Sequence, residues 1–228
     1  MKMLSIDSSG KTAAAAVTDS DQLLAQSFTD SGFTHSQTLL PMVDSTLKIA
    51  GIDITEIEEF AVTSGPGSFT GLRIGVALVM GLAGDRLCRP VSSLEALAYN
   101  FVSCNSIIIP VMDARRQQVY TSIFESNGKK LCRLMPDQAV SVQDVCDRIR
   151  QYSANRHVFL LGDGMYLFED IAGQIENLSF ADGKKIYTQG LGVALASQNV
   201  TPVRAHEIKI NYLRMSQAER ELKEKQNK

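Results

Sequence analysis

Three stretches of this 228-residue chain carry residue types that could handle a phosphate or a proton. The first is Gly10-Lys11-Thr12, which reads like the end of a P-loop. A P-loop needs a glycine five positions before its Gly-Lys pair, so that the intervening N–H groups can wrap a phosphate, and then a helix. Ser5 stands at that position, inside an apolar run at 3–6, and the turn signal "TDSDQ" closes the next segment. The P-loop reading is rejected. The second stretch is "TSGPGSFTGLRIG" at 63–75. Gly65, Pro66 and Gly67 turn the chain, and Ser68 or Thr70 can cap the helix that follows. Gly71 and Gly75 each cost that helix about 1 kcal/mol relative to Ala, which implies close approach of another backbone. The stretch has three readings: an anion site at a helix N-terminus, a tight helix–helix contact, or an internal strand-to-helix turn. Arg73 opposes the helix dipole in the first turn, so a carboxylate or phosphate partner is expected for it. The third stretch is "MDARRQQVY" at 112–120, where Asp113 ends an apolar strand and Arg115 and Arg116 can hold an anion or pair with acids such as Asp163.

His35 is the one histidine of the first half. A helical metal pair would need a second ligand at i+3 or i+4, and those places hold Thr38 and Leu39. A polar role at a helix start is expected instead. A Ser/His hydrolytic pair through Ser68 and His35 has no support from spacing.

The elements that must position these residues follow from the pattern. Strands are expected at 3–6, 12–18, 23–27 and 59–63, with Asp7 in the first hairpin turn. A helix at 34–50 has Thr34 as N-cap, one apolar face from Leu39, Leu40, Val43 and Leu47, a stop at Gly51 and a kink at Pro41. A second helix is expected from 69 to about 87, and others at 94–102, 141–152 and 190–197. Strand, acid, polar turn, strand recurs at 107–124, which suggests two lobes related by duplication. The tail at 216–228 has a capping box, Ser216 with Glu219, and Glu–Lys pairs four apart, so it reads as a solvated helix. The net charge of −2 excludes a protein that grips nucleic acid unaided. Four widely spaced cysteines read as reduced thiols, and no apolar run approaches the roughly 20 residues of a membrane span.

The motifs "HSQTLLPMV", "SGPGSFTGLRIG", "SSLEALAYN", "MDARRQQVY", "GDG" and "NYLRMSQAE", in that order over nearly the whole chain, closely resemble the TsaB (YeaZ) family. The resemblance implies an α/β fold of the actin/Hsp70-like (ASKHA, ribonuclease-H-like) type, two-lobed, with mixed sheets flanked by helices. The lobes would be 1–103 and 104–228, with a C-terminal helix packing back on the first. It implies a non-catalytic cytoplasmic subunit that binds the catalytic paralogue TsaD, works with the ATPase TsaE, and can pair with itself. The complex would modify N6 of the adenosine beside the anticodon of ANN-decoding tRNAs with a threonylcarbamoyl group. The subunit would hold no metal or cofactor of its own, ATP or ADP would sit at the complex boundary, and tRNA would be met mainly through the complex. TsaD carries a His-x-x-x-His metal motif on the first helix, where His35 is followed by Leu39. Interface residues would come from Leu39, Leu40, Val43, Leu72, Ile74, Val76, Met80 and Gly81, shared with the core. Anion or cleft contacts would come from Asp7, Arg73, Asp113, Arg115 and Arg116. The alternative within this fold is a small-molecule kinase or nucleotide hydrolase. It is weakened by Ser8 and Ser9 between Asp7 and Gly10, and by Ala114 and Arg115 after Asp113, where sugar-kinase relatives keep glycines.

Overall fold

The computed structural model describes residues 1–20 and 22–214. The helix expected in the tail lies outside them. Strands β1 (Lys2–Asp7), β2 (Ala13–Asp19) and β3 (Gln22–Thr29) form an antiparallel meander. β4 (Glu59–Gly65) pairs parallel to β1, and β5 (Leu87–Ser92) parallel to β4. The second sheet repeats this plan. β6 (Asn105–Asp113), β7 (Gln118–Asn127) and β8 (Leu131–Ser141) form the meander, with β9 (Val158–Leu161) and β10 (Leu178–Phe180) added in parallel. The strand orders β5-β4-β1-β2-β3 and β10-β9-β6-β7-β8 correspond one to one, which bears out the two-lobed actin-like expectation. β11 (Val203–Arg204) returns from the end of the chain to the free edge of β5.

The central strands are covered on both faces, so they read as unbroken apolar runs such as Ile107–Ile108–Ile109. Helices α1 (His35–Ala50) and α2 (Phe69–Ala83) cover one face of the first sheet. Helices α3 (Ser93–Ala98) and α5 (Gly190–Ser197) lie between the sheets. Val193 and Ala196 meet Met3 and Val91, while Leu94 and Leu97 meet Ile108 and Phe124. Helix α4 (Val142–Ser153) covers the far face of the second sheet. Gly190 sits directly on the backbone of Ala15 and Ala16, which explains why β2 is built from alanines despite their helix propensity. Ser92 Oγ donates to Asp137 at 2.6 Å and Arg133 pairs with Glu95 at 2.6 Å, joining the lobes.

The structure departs from the sequence reading in several places. Helix α2 ends at Ala83 and not near 87, because Gly84 turns the chain and the Arg86 guanidinium takes the Leu82 and Ala83 carbonyls. Strand β8, absent from the sequence reading, completes the second meander. Where α2 has its counterpart in the second lobe stands a 3-10 segment, Asp163–Ile171. Helix α1 runs on through Pro41, with Thr34 and Gly51 as its caps.

Candidate functional site: the cleft between the lobes

The two hairpin turns face each other. In the first, Asp7 is fully buried at the end of β1. Its Oδ1 accepts hydrogen bonds from the Ser9 hydroxyl at 2.7 Å, the Ser9 N–H at 3.2 Å and the Thr63 hydroxyl at 2.7 Å. Burial raises the Asp7 pKa, and these three donors work against the rise. Neighbouring helices hold the turn. His35 Nε2 donates to the Gly10 carbonyl at 2.9 Å, the Ser68 N–H to the Ser9 carbonyl at 2.7 Å, and Ser8 Oγ to the Gly71 carbonyl at 2.9 Å. A carbonyl can only accept, so Nε2 carries the proton. A Cβ at Gly71 or Gly75 would overlap Ser8, so these glycines let α2 lie directly on the turn. The stretch is a strand-to-helix turn whose glycines pack on the first hairpin turn, and its residues 67–70 also line the cleft described below. Ser68 caps α2 by accepting the Gly71 N–H at 3.3 Å, and His35 is engaged with Gly10, so the two form no hydrolytic pair.

In the second turn, Asp113 Oδ1 accepts the Arg115 N–H at 2.6 Å and Oδ2 accepts the Tyr166 hydroxyl at 3.1 Å. That hydrogen bond raises the Tyr166 pKa. The Asp113 N–H donates to Asp163 Oδ1 at 3.1 Å, and burial raises the Asp163 pKa. Arg115, Arg116 and Gln117 are all left-handed, at φ 63°, 57° and 56°. Such geometry costs an L-residue roughly 1–2 kcal/mol each.

Between the turns is a cleft of about 580 Å³, lined by residues 9–11, 67–70 and 112–115 with Tyr120, Asp163 and Arg214. Lys11 is tied back to Asp30 at 3.2 Å and lies 4.9 Å from the Tyr187 ring. Of the expected anion or cleft residues, Asp113 and Arg115 line the cleft. Asp7 lies behind it, in the smaller recess shared with Thr188. Arg116 is exposed and does not line it. Arg73 is a correction. It stands on the outside of α2, where its Nε donates to the Tyr212 hydroxyl at 2.9 Å and the guanidinium lies over that ring. Asp163 receives the Asp113 N–H in place of an arginine. Lys11, Tyr166 and Arg214 were not among the site residues expected from sequence. For Arg214 the signal was the "NYLR" motif, and for Asp163 with Tyr166 the "GDG" after a strand.

The expected interface residues divide. Leu39, Val43, Leu72 and Val76 are buried within the first lobe, so they belong to the core and are not offered to a partner. The reason is helical geometry: one stripe of each helix must seal the sheet. Ile74 is half-buried, Gly81 is exposed, and Leu40 and Met80 keep 53% and 42% of their surface in water. Among the described residues no group of three or more His, Cys, Asp or Glu side chains could hold a metal, and no helix is long and apolar enough to cross a membrane.

Two sheets of repeated topology, with a hairpin turn from each facing a common cleft, define an actin/Hsp70-like α/β protein. An activator of 2-hydroxyisocaproyl-CoA dehydratase from Clostridium difficile, solved with bound ADPNP, shares that fold. Its TM-score is 0.50 at 14% identity, over 87% of this chain and 95% of that one. YeaZ from Pseudomonas aeruginosa superposes with a TM-score of 0.73 at 21% identity, over 93% and 99% of the two chains. A family profile described as "TsaD: tRNA N6-adenosine threonylcarbamoyltransferase" matches residues 29–219. The tRNA threonylcarbamoyladenosine biosynthesis protein TsaB of Bacillus subtilis is 32% identical over 225 residues, 96% of each chain. The chain therefore belongs to the TsaB family, within the wider group that this profile describes, and has a role in tRNA threonylcarbamoyladenosine biosynthesis.

Proposed function

We propose that this chain is a non-catalytic subunit that binds TsaD through the outer faces of α1 and α2. With the ATPase TsaE, it positions TsaD to transfer a threonylcarbamoyl group to N6 of the adenosine beside the anticodon of ANN-decoding tRNAs. The observation that carries this reading is the exposure of Leu40 and Met80 on the two helices whose other faces seal the first sheet. Removing the remaining surface of two such half-exposed side chains from water supplies about 1 kcal/mol each. The non-catalytic role is supported by the turns. The N–H groups of Ser9 and Arg115, which a phosphate-holding turn would present to its ligand, are given to Asp7 and Asp113. On this reading ATP or ADP belongs to the boundary with TsaD, and tRNA is met through the complex.

The test is a calorimetric titration of TsaD into the purified chain and into the Leu40→Asp/Met80→Asp variant. Nucleoside mass spectrometry of tRNA from depleted cells carrying either form runs alongside. The double variant should bind at least 100-fold more weakly and fail to restore threonylcarbamoyladenosine. Wild-type affinity with full restoration would remove α1 and α2 as the interface.

A further inference from the structure

The "NYLR" stretch does more than end the fold. Residues 208–214 cross from one lobe to the other and are fastened at every step. Ile208 and Ile210 pack on the core of the first lobe. The Asn211 N–H donates to the Ser64 carbonyl at 2.7 Å, and its own carbonyl lies where a Cβ of Gly65 would be. The Tyr212 ring stacks on Phe69, in the first turn of α2, with centroids 4.6 Å apart and planes at 7°. Leu213 then enters the cluster of the second lobe that holds Met112 and Tyr120. Finally, the Arg214 guanidinium donates to the carbonyls of Ala114 and Arg115.

The place where Arg214 lands is the strained one. Three consecutive L-residues are left-handed there, and among the described residues the bonds local to the turn are four: the Arg115 N–H donates to Asp113 Oδ1 at 2.6 Å, and three more join backbone groups. Ala114 N–H donates to the Gln118 carbonyl at 3.0 Å, Gln118 N–H to the Arg115 carbonyl at 3.3 Å, and Val142 N–H to the Gln117 carbonyl at 3.2 Å. A sparsely populated backbone persists only where its surroundings over-determine it. Here the surroundings include a cation supplied from 99 residues away. Arg115 and Arg214 both line the cleft, so the form of this turn sets the form of one cleft wall.

We propose that residues 208–214 are an interlobe strap that couples the first turn of α2 to the cleft. While Tyr212 is stacked on Phe69, Arg214 holds the turn at 115–117 left-handed. A molecule that grips the start of α2 and lifts Tyr212 away releases the turn and reshapes the opposite wall of the cleft, which it need not touch. Because α2 and the β6–β7 turn belong to different sheets, the strap gives the coupling a covalent, traceable route.

Hydrogen–deuterium exchange of the whole 228-residue chain tests this. The variants are Arg214→Ala, Arg214→Lys and Phe69→Leu, the last removing the aromatic stack while keeping an apolar side chain. Arg214→Ala should speed exchange of the amides at 113–119 at least tenfold, and Arg214→Lys should do so less. Phe69→Leu, in the other lobe, should also speed the 113–119 amides several-fold, while those of β6 and β9 at 107–110 and 158–161 keep their wild-type rates. Unchanged exchange at 113–119 in Phe69→Leu would overturn the coupling, and unchanged exchange in Arg214→Ala would overturn the clamp. Acceleration spread equally over 107–110 and 158–161 would overturn it too, since it would show general loosening.

Discussion

Replacing Gly81 with arginine separates the proposed interface from the fold. Gly81 lies in the last turn of α2, is exposed, and has no atom within 4 Å of where a Cβ would stand. The new side chain therefore displaces nothing in the free protein. Glycine is the poorer residue in a helix by roughly 0.8 kcal/mol, less near an end. A cation in the last turn adds about 0.3 kcal/mol or more against the helix dipole. The free chain should gain close to 1 kcal/mol, which for a protein of this size raises Tm by about 2–4 °C. At an interface the same side chain brings a charge into an apolar contact, and a loss of at least 100-fold is expected, about 2.7 kcal/mol. Scanning calorimetry of Gly81→Arg gives the first quantity and titration with TsaD the second. Affinity within threefold of wild type would refute the placement of the partner on α2. A fall in Tm of several degrees would refute the description of Gly81 as an open helix position.

Asp7 and the cysteines give two further predictions. The raised Asp7 pKa means that the contribution of this group to stability is fullest below the ordinary aspartate range and falls as pH rises through the folded-state value. Asp7→Asn keeps an acceptor for Ser9 and Thr63 without the buried charge, so its stability relative to wild type should improve between pH 4 and pH 7 in urea melts, whereas Asp7→Ala should lose about 2–4 kcal/mol throughout. A stability gap between Asp7→Asn and wild type that does not change with pH would show that the carboxylate is not held at a cost. Under a thiol-alkylating reagent Cys132, which is exposed, should react first and Cys104 more slowly. Cys146 and Cys88 should react only on unfolding, since burial raises the Cys146 thiol and pushes Cys88 up to about 11. Peptide mass mapping of the labelled chain decides it.

What could be read in the sequence was what is encoded locally. The hairpin turns after Asp7 and Asp113, the Thr34 cap and the Gly51 stop each announce themselves within a few residues, and the repeated strand-acid-turn unit brought the two lobes with it. The features that escaped depend on distant neighbours. Strand β8 carries Arg133, Pro136 and Asp137 in a sheet-edge position with little buried surface, so it needs no alternation of apolar residues. Leu39 and Leu40 are adjacent and chemically alike, and only the sheet beneath α1 decides that one is buried and the other exposed. Arg73 was expected at the cleft, but its Nε reaches the Tyr212 phenol 139 residues further along, on the outside of α2. Of the cleft, Asp113 and Arg115 were legible in the sequence, while Lys11 and Arg214 reach it through the fold.

The return of α5 and β11 to the first sheet has a consequence for synthesis. A ribosome delivers β1 and β2 at the outset, but the helix whose Gly190 sits on their backbone emerges some 170 residues later. Until then one face of the opening hairpin, with Met3, Ala61 and Val91, lacks its cover. The edge of β5 also waits for Val203 and Arg204. The first lobe therefore lacks part of its cover until α5 and β11 have been made, so its complete packing depends on segments more than 170 residues beyond its first hairpin.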